Sequence, residues 1–131
     1  MKNYLSLLLI GIASLGLFLT SCDPNGPDPS DSIVEITADI TTPTVWTADK
    51  VYVIKKFDFY VEDQLTINPG TVVKFTSTAK TLTLSGSGKI LANGTADKPI
   101  IFTSYSDDIN GGDSNDDAGA TSPSTLDWGG I

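Results

Sequence analysis

Apolar and polar positions alternate in short runs from Gln64 to Ser104, and Pro69-Gly70, Gly86-Ser87-Gly88 and Asn93-Gly94 break those runs. Alternation with period two is strand geometry, because successive side chains point to opposite faces. Leu65, Leu82 and Ile100 fall 17 and then 18 residues apart, and Ile67, Leu84 and Phe102 repeat those offsets. Val73 and Ile90 are 17 apart, as are Phe75 and Ala92. An apolar pair that recurs at a near-constant offset predicts the stacked coils of a β-solenoid. Thr66, Lys74, Thr83 and Lys89 stand at the alternate positions and read as outward-facing.

The pattern extends upstream. Val51 and Val53 lie 14 residues before Leu65 and Ile67, and Phe57 and Phe59 lie 16 before Val73 and Phe75. Two sets of inward columns follow. One runs Val51/Leu65/Leu82/Ile100 with Val53/Ile67/Leu84/Phe102, the other Phe57/Val73/Ile90 with Phe59/Phe75/Ala92. Residues 33–49 read as an N-terminal cap with Trp46 plugging the core end, since solenoid ends must be covered. The competing arrangement is a meander or sandwich, with hairpins closed at Asn68-Pro69-Gly70 and Gly86-Ser87-Gly88. Hairpins do not require apolar pairs to recur at one offset, so the columns favour parallel stacking.

The N-terminus has a different character. Lys2 precedes an apolar run from Leu5 to Leu19, and Leu19-Thr20-Ser21-Cys22 follows. A charged start, a short apolar core and small residues at its end describe a secretory signal, expected over residues 1–21 as a helix. Its last four residues resemble a bacterial lipobox, which implies cleavage before Cys22 and acylation of its thiol. Several acyl chains on one residue bury enough methylene for stable anchoring. Residues 22–32 (CDPNGPDPSDS) hold three prolines and three aspartates, too polar to bury a core, and read as a tether. Residues 33–131 then form the β-solenoid.

Charge and composition narrow the chemistry. The chain has 131 residues, 8 Lys plus Arg (all lysine), 16 acidic residues, no histidine and a net charge of −8. Nucleic acid is an unsuitable partner, because phosphate binding draws on Lys and Arg. Without histidine, no Ser-His-Asp or Cys-His arrangement exists within the chain. One cysteine makes no internal disulfide.

Three stretches carry a resemblance. They are Leu65-x-Ile67-x-Pro69-Gly70-Thr71-Val72-x-x-Phe75, then Gly88-x-Ile90-x-Ala92-x-Gly94-Thr95-x-x-x-Pro99-Ile100-x-Phe102-Thr103-Ser104, and finally Asp127-Trp128-Gly129-Gly130-Ile131. Over roughly residues 44–131 the chain resembles the opening coils of secreted bacterial lipoproteins with a right-handed, pectin-lyase-like parallel β-helix. The resemblance implies an all-β fold, a single-stranded right-handed parallel β-helix of about three coils, and a cell-envelope address. It implies no single activity, because β-helices host lyases, hydrolases and adhesins alike.

Tyr105 to Leu126 is the candidate site. Asp113-x-Asn115-x-Asp117 has the spacing of an EF-type or dockerin-type calcium loop, where alternate oxygens of a tight turn converge on a hard cation. Ala118 stands where such loops carry glycine, and Ser124 where they carry a bidentate carboxylate. The expectation is therefore weak calcium binding at Asp113, Asn115 and Asp117, weighed against a solvated acidic loop between two coils. Lys74 and Lys89 are the available bases, with no spacing that ties them to carboxylates. Tyr52, Tyr60, Tyr105 and Trp128 are the aromatics suited to stacking on sugar, whereas Phe57 and Phe59 read as core. The chain stops at Leu126–Ile131 without a polar cap or closing helix, which leads to the expectation of a piece of a longer β-helix.

The expected function is a lipid-anchored module of the cell envelope. It would sit at the outer membrane or cell surface of a Gram-negative bacterium, held to the membrane through Cys22. Its expected role is structural or adhesive, with a glycan or surface protein as partner, no catalysis of its own and no cofactor other than calcium. The alternative is the N-terminal part of a carbohydrate-active enzyme, a polysaccharide lyase or hydrolase, whose catalytic coils lie elsewhere.

Overall fold

A computed structural model describes residues 32–76 and 81–131; the expected signal, Cys22 and nearly all of the tether lie outside them. Nine short strands follow one another: β1 (Ile33–Ile36), β2 (Thr44–Trp46), β3 (Val51–Ile54), β4 (Asp58–Val61), β5 (Gln64–Ile67), β6 (Val72–Phe75), β7 (Thr81–Leu84), β8 (Lys89–Ala92) and β9 (Ile101–Ser104). None pairs with its neighbour in sequence. They form three sheets in the orders β1-β3-β6-β9, β2-β5-β8 and β4-β7, and every pairing is parallel. Each turn of the chain thus lays one strand on each of three walls, the layout of a parallel β-solenoid, and the hairpin arrangement is excluded. Residues 33–46, expected as a cap, already stack in register: β1 lies on β3, Ile40 bridges Val61, and β2 lies on β5.

The columns differ from those expected. Val51 lies beside Val72, Phe59 beside Leu82, Leu65 beside Ile90, and Val73 beside Phe102. One full turn therefore takes 21 residues from Val51 to Val72 and 29 from Val72 to Ile101. The offset of 17 has a simple origin. It carries Leu65 on β5 to Leu82 on β7, two strands along, whereas a full turn is three. Any repeat of four-residue strands offers such false periods, because every strand presents an apolar pair two residues apart.

The inward set of β3 is also shifted by one. Tyr52 and Ile54 point into the core, with Trp46, Phe59, Val61, Leu65, Ile67, Val73 and Phe75. Val51 and Val53, expected inside, lie on the opposite face. A one-residue change of register moves a whole apolar set to the other side of a sheet. Phe57, expected in the core, is 53% exposed, and Leu84 and Ala92, at the far end of their columns, are also exposed.

Aromatic stacking fills the first turns of the core. The Trp46 ring lies on Tyr52, with centroids 4.7 Å apart, and on Phe59 at 6.3 Å. Tyr52 is therefore a core residue rather than a sugar platform, and its hydroxyl accepts a hydrogen bond from the Thr47 N–H at 2.9 Å. At the other end, Trp128 stacks on Phe75 at 4.3 Å, and Leu82 N–H donates to the Gly130 carbonyl. The final residues thus lie over the last wall.

Candidate functional site: a buried lysine under an acidic strap

In the wall β1-β3-β6-β9 the two central strands, β3 and β6, are covered on both faces. Its inner rows are Val34/Tyr52/Val73/Phe102 and Ile36/Ile54/Phe75/Ser104. Its outer rows are Ile33/Val51/Val72/Ile101 and Glu35/Val53/Lys74/Thr103. Val53 and Lys74 are fully buried although they face away from the core. The cover is the acidic stretch after β9, residues 105–121, which folds back over the outside of the wall as a strap. The backbone of Gly111, at φ +78°, comes so close that a methyl group there would sit 3.0 Å from Val51 and 3.2 Å from Val72.

Lys74 was expected on a solvated face. It does stand on the outer face, but its side chain rises into the strap. The Nζ donates to the carbonyl of Asp107 and to that of Gly112, each at 2.6 Å. Those two carbonyls bracket the turn that contains Asp108, Ile109, Asn110 and Gly111. Burial pushes the lysine below its ordinary pKa, while Asp107, Asp108 and Asp113 nearby pull it back up. A lone ammonium is costly to bury, so hydrogen bonds and surrounding carboxylates are what make this position tolerable.

The strap is shaped by its own aspartates. Asp107 accepts from the Thr103 hydroxyl, from the N–H groups of Ile109 and Asn110, and from the Asn110 side chain. Burial alone would raise its pKa, but these donors outweigh it and leave the carboxyl below its usual range. Asp113 accepts from the N–H groups of Asp117 and Ala118. Asp117 accepts from Gly119, Ala120 and Thr121 N–H, from the Thr121 hydroxyl and from Asn115 Nδ2. The Thr121 hydroxyl leads the group that lowers its pKa. Asx-type bonding of this kind shapes a turn where no regular ladder is available. It also holds Asp116 and Ala118 at φ +56° and +55°, a region that costs energy for residues other than glycine.

Of the expected calcium set, Asp113 and Asp117 do come together, and Asp108 joins them: one carboxylate oxygen from each lies within 4.8 Å of the others. Asn115 instead turns its amide nitrogen to Asp117 and Thr121. Two buried oxygens, Asp108 Oδ1 and Asn115 Oδ1, accept no hydrogen bond from the protein. Burial, and then the charges of Asp113 and Asp117, push the Asp108 carboxyl above its ordinary pKa. Asp108 was missed because it falls outside the x-spaced motif and reaches the cluster only through the fold of the strap. Lys74 was named as an outward-facing base, and only its burial was missed, although a signal for that existed. Val51-Tyr52-Val53-Ile54 is a continuous apolar run, the mark of a parallel strand covered on both faces.

The remaining lysines with described partners sit at the surface. Lys55 pairs with Glu35 and lies over the Tyr105 ring, and Lys56 pairs with Asp39 at 3.0 Å and lies over the Tyr60 ring. Tyr105 and Tyr60, two of the aromatics suited to sugar, thus each have a cation above the ring.

Comparison with curated proteins gave no match, and comparison with solved structures gave none. A family model described as a pectate-lyase-like beta helix domain matches residues 38–116. That span takes in β2 to β9, Lys74 and the strap as far as Asp116. With every wall parallel and the match covering more than half of the chain, this protein belongs to the pectate-lyase-like β-helix domain family.

Proposed function

We propose that this chain is a lipid-anchored β-helix module of the cell envelope that works by display and binding rather than by catalysis. The observation that carries this reading is the state of Lys74. Proton abstraction from a sugar requires a base with reach to substrate. Here the buried lysine spends its donors on the carbonyls of Asp107 and Gly112, and Lys55 and Lys56 are engaged with Glu35 and Asp39. An acidic, coiled surface suits a partner such as a glycan or a surface protein, and acylated Cys22 would hold it at the membrane. Polysaccharide lyase assays on polygalacturonate, following the unsaturated product, are expected to give none above the buffer rate. Product that disappears in Lys74→Met would overturn the non-catalytic reading. Palmitate supplied to the expressing cell is expected to label the wild type and not Cys22→Ser; label that survives the substitution would remove the anchor.

The strap supports a second element of this reading, weak calcium binding. The three clustered carboxylates, Asp108 with an unpartnered oxygen, are a donor set of the hard-oxygen kind that calcium takes, and Asn115 Oδ1 is a further oxygen of the strap that accepts no hydrogen bond. Against it, Asp113 and Asp117 already accept several amide hydrogens, and Ser124 supplies no bidentate carboxylate. The affinity expected is that of extracellular modules, Kd about 10⁻⁴–10⁻³ M. Calorimetry with calcium should show that heat in the wild type and lose it in Asp108→Asn. No heat and no thermal shift would leave the strap as a spacer.

A further inference from the structure

Beyond its first residue, where Tyr105 N–H donates to the Phe75 carbonyl at 2.9 Å and Lys55 lies over the ring, the strap is held to the solenoid by few groups from other turns of the chain. Its carboxylates bond its own amides: Asp107 those of Ile109 and Asn110, Asp113 those of Asp117 and Ala118, Asp117 those of Gly119, Ala120 and Thr121. These bonds give the strap internal shape without fastening it to anything. Thr103 bonds Asp107, but it belongs to the stem from which the strap leaves. The two hydrogen bonds from Lys74, on β6, reach across to it from another turn, and Gly111 rests on Val51 and Val72. Most residues from Ile109 to Thr121 are exposed, so little apolar area holds the strap down. Segments of this kind, with few buried contacts and exposed hydrogen bonds, open at free energies far below that of global unfolding.

We propose that Lys74 is a latch. Its ammonium holds the strap over a second apolar face of the wall, and the strap lifts and loses its internal turns while the solenoid stays folded. Lifting hydrates the ammonium and frees the Asp107 and Gly112 carbonyls to water. It uncovers Val51, Val53 and Val72, and it separates the Asp108 carboxylate from the lysine. The inner rows are untouched, because Tyr52, Ile54, Val73 and Phe75 pack on the opposite side of the same strands.

Amine acetylation of the intact wild-type chain by a hydroxysuccinimide ester, read residue by residue by mass spectrometry, tests this directly. The comparison is with Lys98, which is exposed, across urea concentrations below the unfolding transition. Lys74 is expected to react at least about tenfold more slowly than Lys98, at a rate that changes little with urea, as a small local opening requires. A rate equal to that of Lys98 would mean no latch. A rate that follows urea as steeply as exchange of the Ile54 and Val61 amides would mean the strap opens only with the whole fold. Either result overturns the proposal. Lys74→Met adds a second readout by hydrogen exchange. The amides of Ile109, Asn110 and Ala118 are expected to lose about tenfold or more in protection, with Ile54 and Val61 within about threefold of wild type. If the strap amides keep their protection in a folded variant, the lysine is not what holds them. Should the variant fail to fold, the wild-type labelling still decides.

Discussion

Trp46→Ala is expected to bring this domain close to unfolding. The side chain is 2% exposed and stacks on both Tyr52 and Phe59, at 4.7 and 6.3 Å. Truncating a buried aromatic costs about 3–5 kcal/mol through lost transfer energy and the cavity left behind. The stack adds roughly 0.5–1.5 kcal/mol that burial alone does not count. Domains of this size hold only about 5–15 kcal/mol in total. The cavity has little chance to collapse, because Tyr52 is also fixed by the Thr47 N–H and Phe59 by its place beside Leu82. With about 4–8 °C per kcal/mol for a domain of roughly 100 residues, the melting temperature should fall by at least about 12 °C. Trp46→Phe keeps a ring in the stack and should recover more than half of that loss. A fall of only two or three degrees by calorimetry would show that the first turn frays independently of the rest.

Gly88→Ala is expected to be nearly as damaging, for a reason that has nothing to do with apolar area. A Cβ at this position would lie 1.7 Å from the carbonyl oxygen of Val61 and 2.7 Å from its carbon. That carbonyl is backbone, and it already accepts the Ser85 N–H at 3.0 Å. No rotamer relieves such a collision. Either the turn Ser85–Gly88 lifts away from β4 or the β4–β7 ladder shifts. Overpacking of a tight site costs typically 1–3 kcal/mol and occasionally more, and a backbone clash belongs at the upper end, about 3 kcal/mol. Gly86→Ala is the natural control. Its neighbourhood is open, and only its φ of +58° penalises a side chain, so it should cost about 1 kcal/mol. Denaturant unfolding of the two variants should separate them clearly. Equal midpoints would mean that the turn is looser than the contact with Val61 implies.

The two variants probe different things that a coil must do. Trp46 fills the space inside the walls, and Gly88 lets one turn of backbone settle directly on the one before it. Lys74 answers a third requirement, that the outside of a twice-buried wall have a cover. In an antiparallel sheet with one wet face, Val51 and Val53 would have been polar. In this parallel wall they are apolar, and the strap with its lysine is the consequence.

Much of the architecture was legible in the residues alone. Short period-two runs, turn residues between them and recurring apolar pairs determine stacked parallel strands, since only a solenoid rewards one apolar pair per strand over so many strands. The segment from Lys2 to Cys22 lies outside the described residues, so its lipobox-like pattern and the address it implies stand as an expectation from the linear sequence. The register was decided only in three dimensions. A strand of four residues repeats the same apolar pair on every wall, so offsets of 17 and of 21 residues look alike until the walls close, and closure depends on loop lengths that sequence does not price. The faces of β3 were decided in the same way: VYVI is apolar at every position, so alternation cannot say which pair looks inward. The partners in the strap were likewise beyond a linear reading. Lys74 meets Asp107 and Gly112 across 33 and 38 residues, and Asp108 joins Asp113 and Asp117 because the strap's own Asx turns fold it there. Charge and burial of a single side chain depend on what another segment lays over it, and that is a property of the folded chain alone.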